Sequence, residues 1–223
     1  FLREQGGLAV TIMDQGALPE DFTPFSAVLA YIHQDLSAPT ERAIIDYTEG
    51  GGRYIALHHS ISSKKAANEF YFDFLGIQLD NPEQSPNPVE PGGGYGWRHV
   101  PTLTLVNLNP GHYIVSHKVK WGERIPYTPS DFPSVERMYP SMVLTSSEVY
   151  LNHKFTDGRE KTVLMGLTYF DDRNQQLFLQ DRAGWIKDAG KGDIIYLMPG
   201  HEAHEYENPN ISQMVLNAVN WIR

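Results

Sequence analysis

The sequence predicts an α/β protein: a mostly parallel sheet with helices packed on both faces. Three observations predict this. Apolar runs at residues 25–32 and 53–57 alternate with amphipathic helical stretches. A further apolar run, residues 193–197, is followed by a helical stripe that closes the chain. Histidines stand where two of these runs end, at His58-His59 and at His201. In open α/β sheets ligands bind beyond the carboxyl ends of the strands.

Taken in order, residues 8–13 look like a strand and lead into a loop around Gly16 and Pro19. Residues 25–32 read as a buried strand. Ser37-Ala38-Pro39 opens a helix, with proline in the first turn and Glu41 placed well for the dipole. Ala43, Ile44 and Tyr47 face inward on it, and Gly50-Gly51-Gly52 stops it. Residues 53–57 form the next strand. Ala66, Ala67, Phe70, Tyr71, Phe74 and Leu75 make one helical stripe ended by Gly76. Residues 81–96 are rich in Pro and Gly and read as a surface loop. Residues 100–108, 142–155 and 162–170 are extended. Residues 121–140 carry four prolines and read as irregular, lid-like structure. Asn208-Pro209 caps a last helix striped by Ile211, Met214, Val215, Ala218, Val219 and Ile222. No internal repeat or second domain is visible, so residues 1–223 form one domain.

Composition removes several classes. The net charge of −9 comes with no Lys/Arg cluster, which argues against a nucleic-acid partner. No apolar run approaches the roughly 20 residues that span a bilayer. A soluble protein is expected, cytoplasmic by preference, with a homo-oligomer compatible. The start, Phe1-Leu2-Arg3-Glu4-Gln5-Gly6-Gly7, reads like a helix tail and leaves room for a natural N-terminus upstream. There are no cysteines, hence no thiolate nucleophile or zinc-thiolate site.

The candidate site residues follow from position. Adjacent strand residues point to opposite faces, so one of His58 and His59 faces a cleft at the strand end. Burial for packing alone is the plainer alternative. Ser60 lacks the glycine-flanked elbow of hydrolases and reads as a helix cap, or as a polar ligand of a substrate. His201-Glu202-Ala203-His204-Glu205 has its histidines three apart, not the four of a zinc-protease helix, so a loop is expected. Pro199-Gly200 should turn that loop and aim His201 into the cleft. Nearby Glu202, Glu205 and Glu207 would raise its pKa if they lie close. Glu148 and Tyr150 share one strand face; a carboxylate beside a phenol can bind hydroxyls or move protons. A solvated edge strand is the competing account. Trp185 either stacks on a sugar ring or fills the core. The glycines around Gly93 do not form a phosphate-binding loop.

The segments Gly50-Gly51-Gly52 through His58, Ser147-Glu148-Val149-Tyr150, Gly190-Lys191-Gly192-Asp193 through His201, and Leu216-Asn217-Ala218-Val219-Asn220-Trp221 together resemble the ThuA-like, or trehalose-utilisation, family. The resemblance implies a fold similar to class I glutamine amidotransferases, a flavodoxin-like three-layer sandwich. It places His58 where those enzymes carry their cysteine nucleophile, so glutamine hydrolysis by that mechanism is excluded. It also implies a role in carbohydrate use, on a disaccharide or its 3-keto derivative. The family often has Arg-Val after the Gly-Lys-Gly turn, where this chain has Asp193-Ile194.

Three functions remain open from sequence. In the first, an enzyme acts on a sugar or keto-sugar. His58 or His59 is its base, Glu148 the partner acid or a substrate ligand, and His201 an anion stabiliser. Tyr150 and Trp185 position the ring. In the second, a noncatalytic sugar-binding or regulatory domain keeps the fold. In the third, a hydrolase or lyase holds a divalent transition metal with His58, Glu148 and His201.

Overall fold

The structure, a computed structural model, describes residues 1–19, 21–80, 93–130 and 135–223. The predicted loop at 81–96 and the Pro-rich stretch at 121–140 fall partly outside these residues. The strands are β1 (Val28–Ala30), β2 (Arg53–Leu57), β3 (Ile77–Gln78), β4 (Gly96–Asn107), β5 (Arg124–Tyr127), β6 (Arg137–Leu151), β7 (Lys154–Phe155), β8 (Lys161–Asp171), β9 (Gln176–Ala189) and β10 (Gly192–Leu197). The helices are α1 (Ala38–Glu49), α2 (Tyr71–Leu75), α3 (Tyr113–Ser116), α4 (Ala203–Glu207) and α5 (Pro209–Asn220).

Among the described residues, eight strands form one central sheet in the order β1-β2-β10-β9-β8-β4-β6-β5. The α/β class holds, and the sheet is mixed. β2 pairs parallel with β1 and β10. From β9 onward every pairing in the sheet is antiparallel. Parallel pairing therefore stops where the helical crossovers stop: α1 links β1 to β2, whereas β4 to β10 follow one another through turns and short helices.

Helices do cover both faces. Tyr54 of β2 turns toward α2, where its hydroxyl meets that of Tyr71 at 2.6 Å. Arg53, one residue earlier and so on the other face, donates to Val219 O of α5 and lies over the Trp221 ring. α1 is capped as its sequence demands, with the Ser37 side chain accepting from Thr40 N. α5 is capped by Asn208, with Pro209 in its first turn. No helix among the described residues is long and apolar enough to cross a membrane.

Four local expectations are corrected. Residues 8–13 find no ladder partner among the described residues, and Ile12 is left 83 % exposed. The stripe at 66–75 splits into a 3-10 turn, Ser63–Ala67, and the short α2, which Gly76 ends in the left-handed conformation. The stretch 121–140 contributes β5, paired at the sheet edge with the start of β6. β9 is an additional long strand that lies between β10 and β8.

Candidate active site

The site forms where the parallel and antiparallel parts of the sheet meet. β2 ends at Leu57, and the chain enters a 3-10 turn, His58–Ile61. His58 sits there at φ 37°, a region that non-glycine residues rarely occupy. That turn throws the imidazole back over the sheet, where Nδ1 lies 2.5 Å from the Met198 carbonyl oxygen just beyond β10. His201 arrives from the same end of β10. Gly200, at φ +123°, makes the turn that sequence expected of it, and Tyr31 donates to the His201 carbonyl at 3.1 Å. Glu148 and Tyr150 come from β6, across the sheet.

These groups converge. His58 Nε2 is 3.1 Å from Glu148 Oε2 and 3.2 Å from His201 Nδ1. His201 Nδ1 is 3.4 Å from the same carboxylate oxygen. His59 turns the other way from His58 yet stays in the site: its Nδ1 lies 2.7 Å from the Tyr150 hydroxyl and 3.9 Å from Glu148 Oε2. His58, His59, Glu148 and His201 each bring one donor atom within 4.8 Å of the others. The structure thus brings together His58, His59, Glu148, Tyr150 and His201.

Two further candidates take structural places instead. Ser60 is buried and donates to Ala30 O at 2.7 Å, which ties the turn to β1; it neither caps a helix nor faces the site. Trp185 is completely buried against His153, Phe155 and Tyr196, so its ring has no face for a ligand. His204 also leaves the cluster and lies against Thr145 O. The loop expected there contains α4, started by a reciprocal capping box between Glu202 and Glu205.

The hydrogen bonds set the proton inventory. A carbonyl oxygen only accepts, so Nδ1 of His58 carries hydrogen. In the neutral ring Nε2 then offers a lone pair to a carboxylate oxygen, and two acceptors face each other. A proton on Nε2 relieves that repulsion for one neighbour. A cation relieves it for Glu148 and His201 together.

The neighbouring imidazoles resist protonation. Burial first, and then the charge on His58, hold His59 down to about 3, against the opposing pull of Glu148. Burial also lowers His201, and Glu148 only partly offsets it. Of the glutamates expected to raise it, Glu202, 3.6 Å from His201 Nε2, does pull upward, but burial outweighs it and the net shift is downward. Glu205 turns to Gly200 N and Ser147 instead. Burial disfavours the ionised form of Glu148, but the hydrogen bond and charge of His58 outweigh it and hold the carboxyl below its ordinary value.

The donor set fits a first-row metal ion. Bonds of about 2.0–2.1 Å place neighbouring donors about 2.9–3.4 Å apart in octahedral or tetrahedral geometry. The three closest donors stand 3.1, 3.2 and 3.4 Å apart. The His58 Nδ1 contact to a carbonyl is the outer bond that fixes a ligating imidazole's tautomer.

Sequence reasoning missed an outer ring. His33 packs against His59, with ring centroids 4.5 Å apart. Tyr31 lies 5.2 Å from His59 by the same measure. His99 packs against His201 at 4.6 Å. His99 stands at an alternating position of β4, directly across from Glu148, so strand pairing was the signal that could have found it.

A family model described as trehalose utilisation, ThuA, matches residues 2–222. The chain belongs to the ThuA family. Solved structures carry the same fold at low identity. A ThuA-like protein from Parabacteroides merdae ATCC 43184 is 17 % identical, covers 99 % of this chain and 80 % of its own, and has a TM-score of 0.61. A cytoplasmic protein from Salmonella typhimurium LT2 is 12 % identical, covers 98 % and 83 %, and has a TM-score of 0.56. A ThuA-like protein from Bacteroides uniformis ATCC 8492 is 16 % identical, covers 88 % and 69 %, and has a TM-score of 0.52. No curated protein matches this ThuA sequence significantly.

Proposed function

We propose that this chain is a metal-dependent enzyme acting on a carbohydrate, with the ion held by His58, Glu148 and His201. One observation carries the proposal: three donors from three separate elements meet at metal-ligand spacing, and the far nitrogen of the His58 ring is held by the Met198 carbonyl. The family's link to trehalose utilisation supports a sugar as substrate, with a disaccharide or its 3-keto derivative the class of choice.

A bound ion would act as a Lewis acid on a carbonyl or hydroxyl oxygen of the sugar. The chain's own residues supply the rest. Met198 O and the turn at His58 hold the first imidazole in one orientation. Tyr150 keeps its proton at neutral pH, because burial pushes the phenol up. Its hydroxyl sits between His59 Nδ1, at 2.7 Å, and the Glu148 carboxylate, to which it is also hydrogen-bonded. The Tyr150–His59 pair can therefore take or give a proton beside the ion. Tyr31 holds the loop of His201.

The test begins with protein purified without chelator. Elemental analysis should find close to one equivalent of a first-row metal. His201→Ala and Glu148→Ala should lose it. Turnover of a 3-keto-disaccharide should disappear with chelation and return with zinc, manganese or nickel. His58→Asn should lower it by at least the roughly 10²–10⁴-fold of an acid–base group. Absence of stoichiometric metal, with no activation by any of the three ions, sinks the proposal.

A further inference from the structure

The rim of the site has a chemistry that the inner ligands do not explain. Antiparallel pairing of β4 with β6 sets His99 across from Glu148 and Trp97 across from Tyr150. Cross-strand partners lie side by side on one face of a sheet. The two site residues of β6 thus each have a β4 neighbour on their own face. The exposures differ sharply. Glu148 and Tyr150 are buried. The His99 side chain is 61 % exposed and Trp97 is 40 % exposed.

The two carboxylate oxygens of Glu148 divide between these levels. Oε2 faces His58, His59 and His201. Oε1 faces His99, whose Nε2 stands 3.6 Å away, beyond hydrogen-bond reach. The His99 ring is wedged edge-on between His201, at 4.6 Å and 77°, and Trp97, at 5.9 Å and 89°. It is held in place with a nitrogen still open to a ligand. Trp97 is a large apolar face left in water, where most indoles are covered. The next aromatic back along the chain, Tyr95, is buried against Tyr150.

We infer that Trp97 and His99 form a sugar-binding shelf beside the inner centre: Trp97 stacks on the apolar face of a pyranose ring, and His99 hydrogen-bonds a hydroxyl of that ring. The inference rests on the carbohydrate reading above. The spacing suits it. Alternate strand residues lie about 7 Å apart along the strand, about the reach of one sugar ring and its hydroxyl. A ring on Trp97 points its substituents past His99 toward Glu148 and His201. A ligand of this class needs both features, because a pyranose has an apolar face and a rim of hydroxyls. A purely apolar partner would leave His99 without a role.

The experiment uses the full chain with its metal content measured. Binding of trehalose, maltose and a 3-keto-disaccharide is followed by calorimetry and by tryptophan fluorescence. Trp97→Ala should weaken sugar binding roughly tenfold, in line with the loss of a stacking face. Trp97→Phe should retain most of it. His99→Gln should keep the hydrogen bond and bind better than His99→Ala. All four variants should stay folded and keep a stoichiometric metal, since neither side chain is one of the three proposed ligands. Wild-type sugar affinity in Trp97→Ala overturns the shelf, as does the absence of binding of all three sugars to metal-loaded protein. Sugar binding that depends on Trp97 in a protein that takes up no metal keeps the shelf and removes the metal centre instead.

Discussion

Two carboxylates of this fold are ringed by nitrogen donors, and they solve the same electrostatic problem in opposite ways. Asp157 receives its positive charge from the chain. Lys187, itself fully buried, donates to Oδ1 at 2.6 Å, and Arg159 bonds Oδ2. Glu148 is more deeply buried, at 6 %, and its close neighbours are imidazoles. Two of these, His59 and His201, are held below their ordinary pKa by burial. A buried charge is tolerated when it is paired. The first cluster is complete as folded. The second, on the function proposed above, is completed by a cation brought from outside, and that difference would separate a structural ion pair from a site.

The largest effects should come from removing the two charges. Asp157→Asn removes the charge opposite buried Lys187 and leaves it neutral acceptors, the new amide oxygen and the Gly76 carbonyl at 3.0 Å. A fully buried pair broken on one side costs about 3–5 kcal/mol. Asp157 keeps 21 % of its side chain in water, so about 2–4 kcal/mol is expected here, read as a lower melting temperature with metal content unchanged. Glu148→Gln should do the reverse. The metal-free variant should melt near the wild type, because a Gln amide can hydrogen-bond His58 Nε2 through either its nitrogen or its oxygen. Metal affinity should fall by more than the roughly 10–100-fold that loss of an outer-shell partner costs. Equal behaviour of the two variants in either assay breaks the comparison.

The next effect is in the pH dependence of metal-free protein. Histidine ordinarily titrates near 6.5, and His59 is held at about 3, chiefly by burial. Between those values the unfolded chain binds a proton that the folded chain refuses. The stabilisation is therefore complete above about 6.5 and is lost as pH falls toward 3. His201, also lowered, acts in the same direction. At Asp157 burial favours the neutral acid, but Lys187 and Arg159 outweigh it and hold the carboxyl below its ordinary range. That contribution is lost only below about pH 3.9, as pH falls through the lowered value. Melting temperatures from pH 7.5 down to 5 should fall in wild type and fall less in His59→Asn. Parallel slopes would assign the acid sensitivity to other groups.

Much of the inner site was legible because it depends on local rules. Strand ends placed His58, His59 and His201, and two-residue alternation put Glu148 with Tyr150. The outer ring was not legible, because Trp97 and His99 gain meaning only through the register of β4 against β6. β9 escaped for a related reason. Its charged residues Asp181, Arg182 and Lys187 interrupt any apolar run. In the fold Asp181 accepts from Tyr127, Arg182 donates to His153 O, and Lys187 bonds Asp157. Long-range pairing supplies what the linear pattern lacks. Residues 8–13 show the converse, an apolar run with no pairing strand among the described residues. The antiparallel half of the sheet was hidden in the same way, since an extended run carries no sign of its partner's direction.

The smallest effect should distinguish side chains that face the proposed metal site from those that hold the backbone around it. Ser60 stands two residues after His58 and has the polarity of a substrate ligand. Its hydroxyl donates instead to Ala30 O at 2.7 Å, in a fully covered position. Ser62 makes the matching bond to His33 O at 3.0 Å, and Lys65 bonds the carbonyls of Ile32 and His59. Together they fasten the loop of Tyr31 and His33 onto the turn that carries His58. Ser60→Ala removes one of several ties, so the loop should keep its place at a cost of about 1 kcal/mol, the net worth of one neutral hydrogen bond. Metal content and sugar affinity should match the wild type. A Ser60→Ala protein that melts normally but loses metal or sugar binding would return Ser60 to the site and show that its hydroxyl turns from Ala30 toward the ligand.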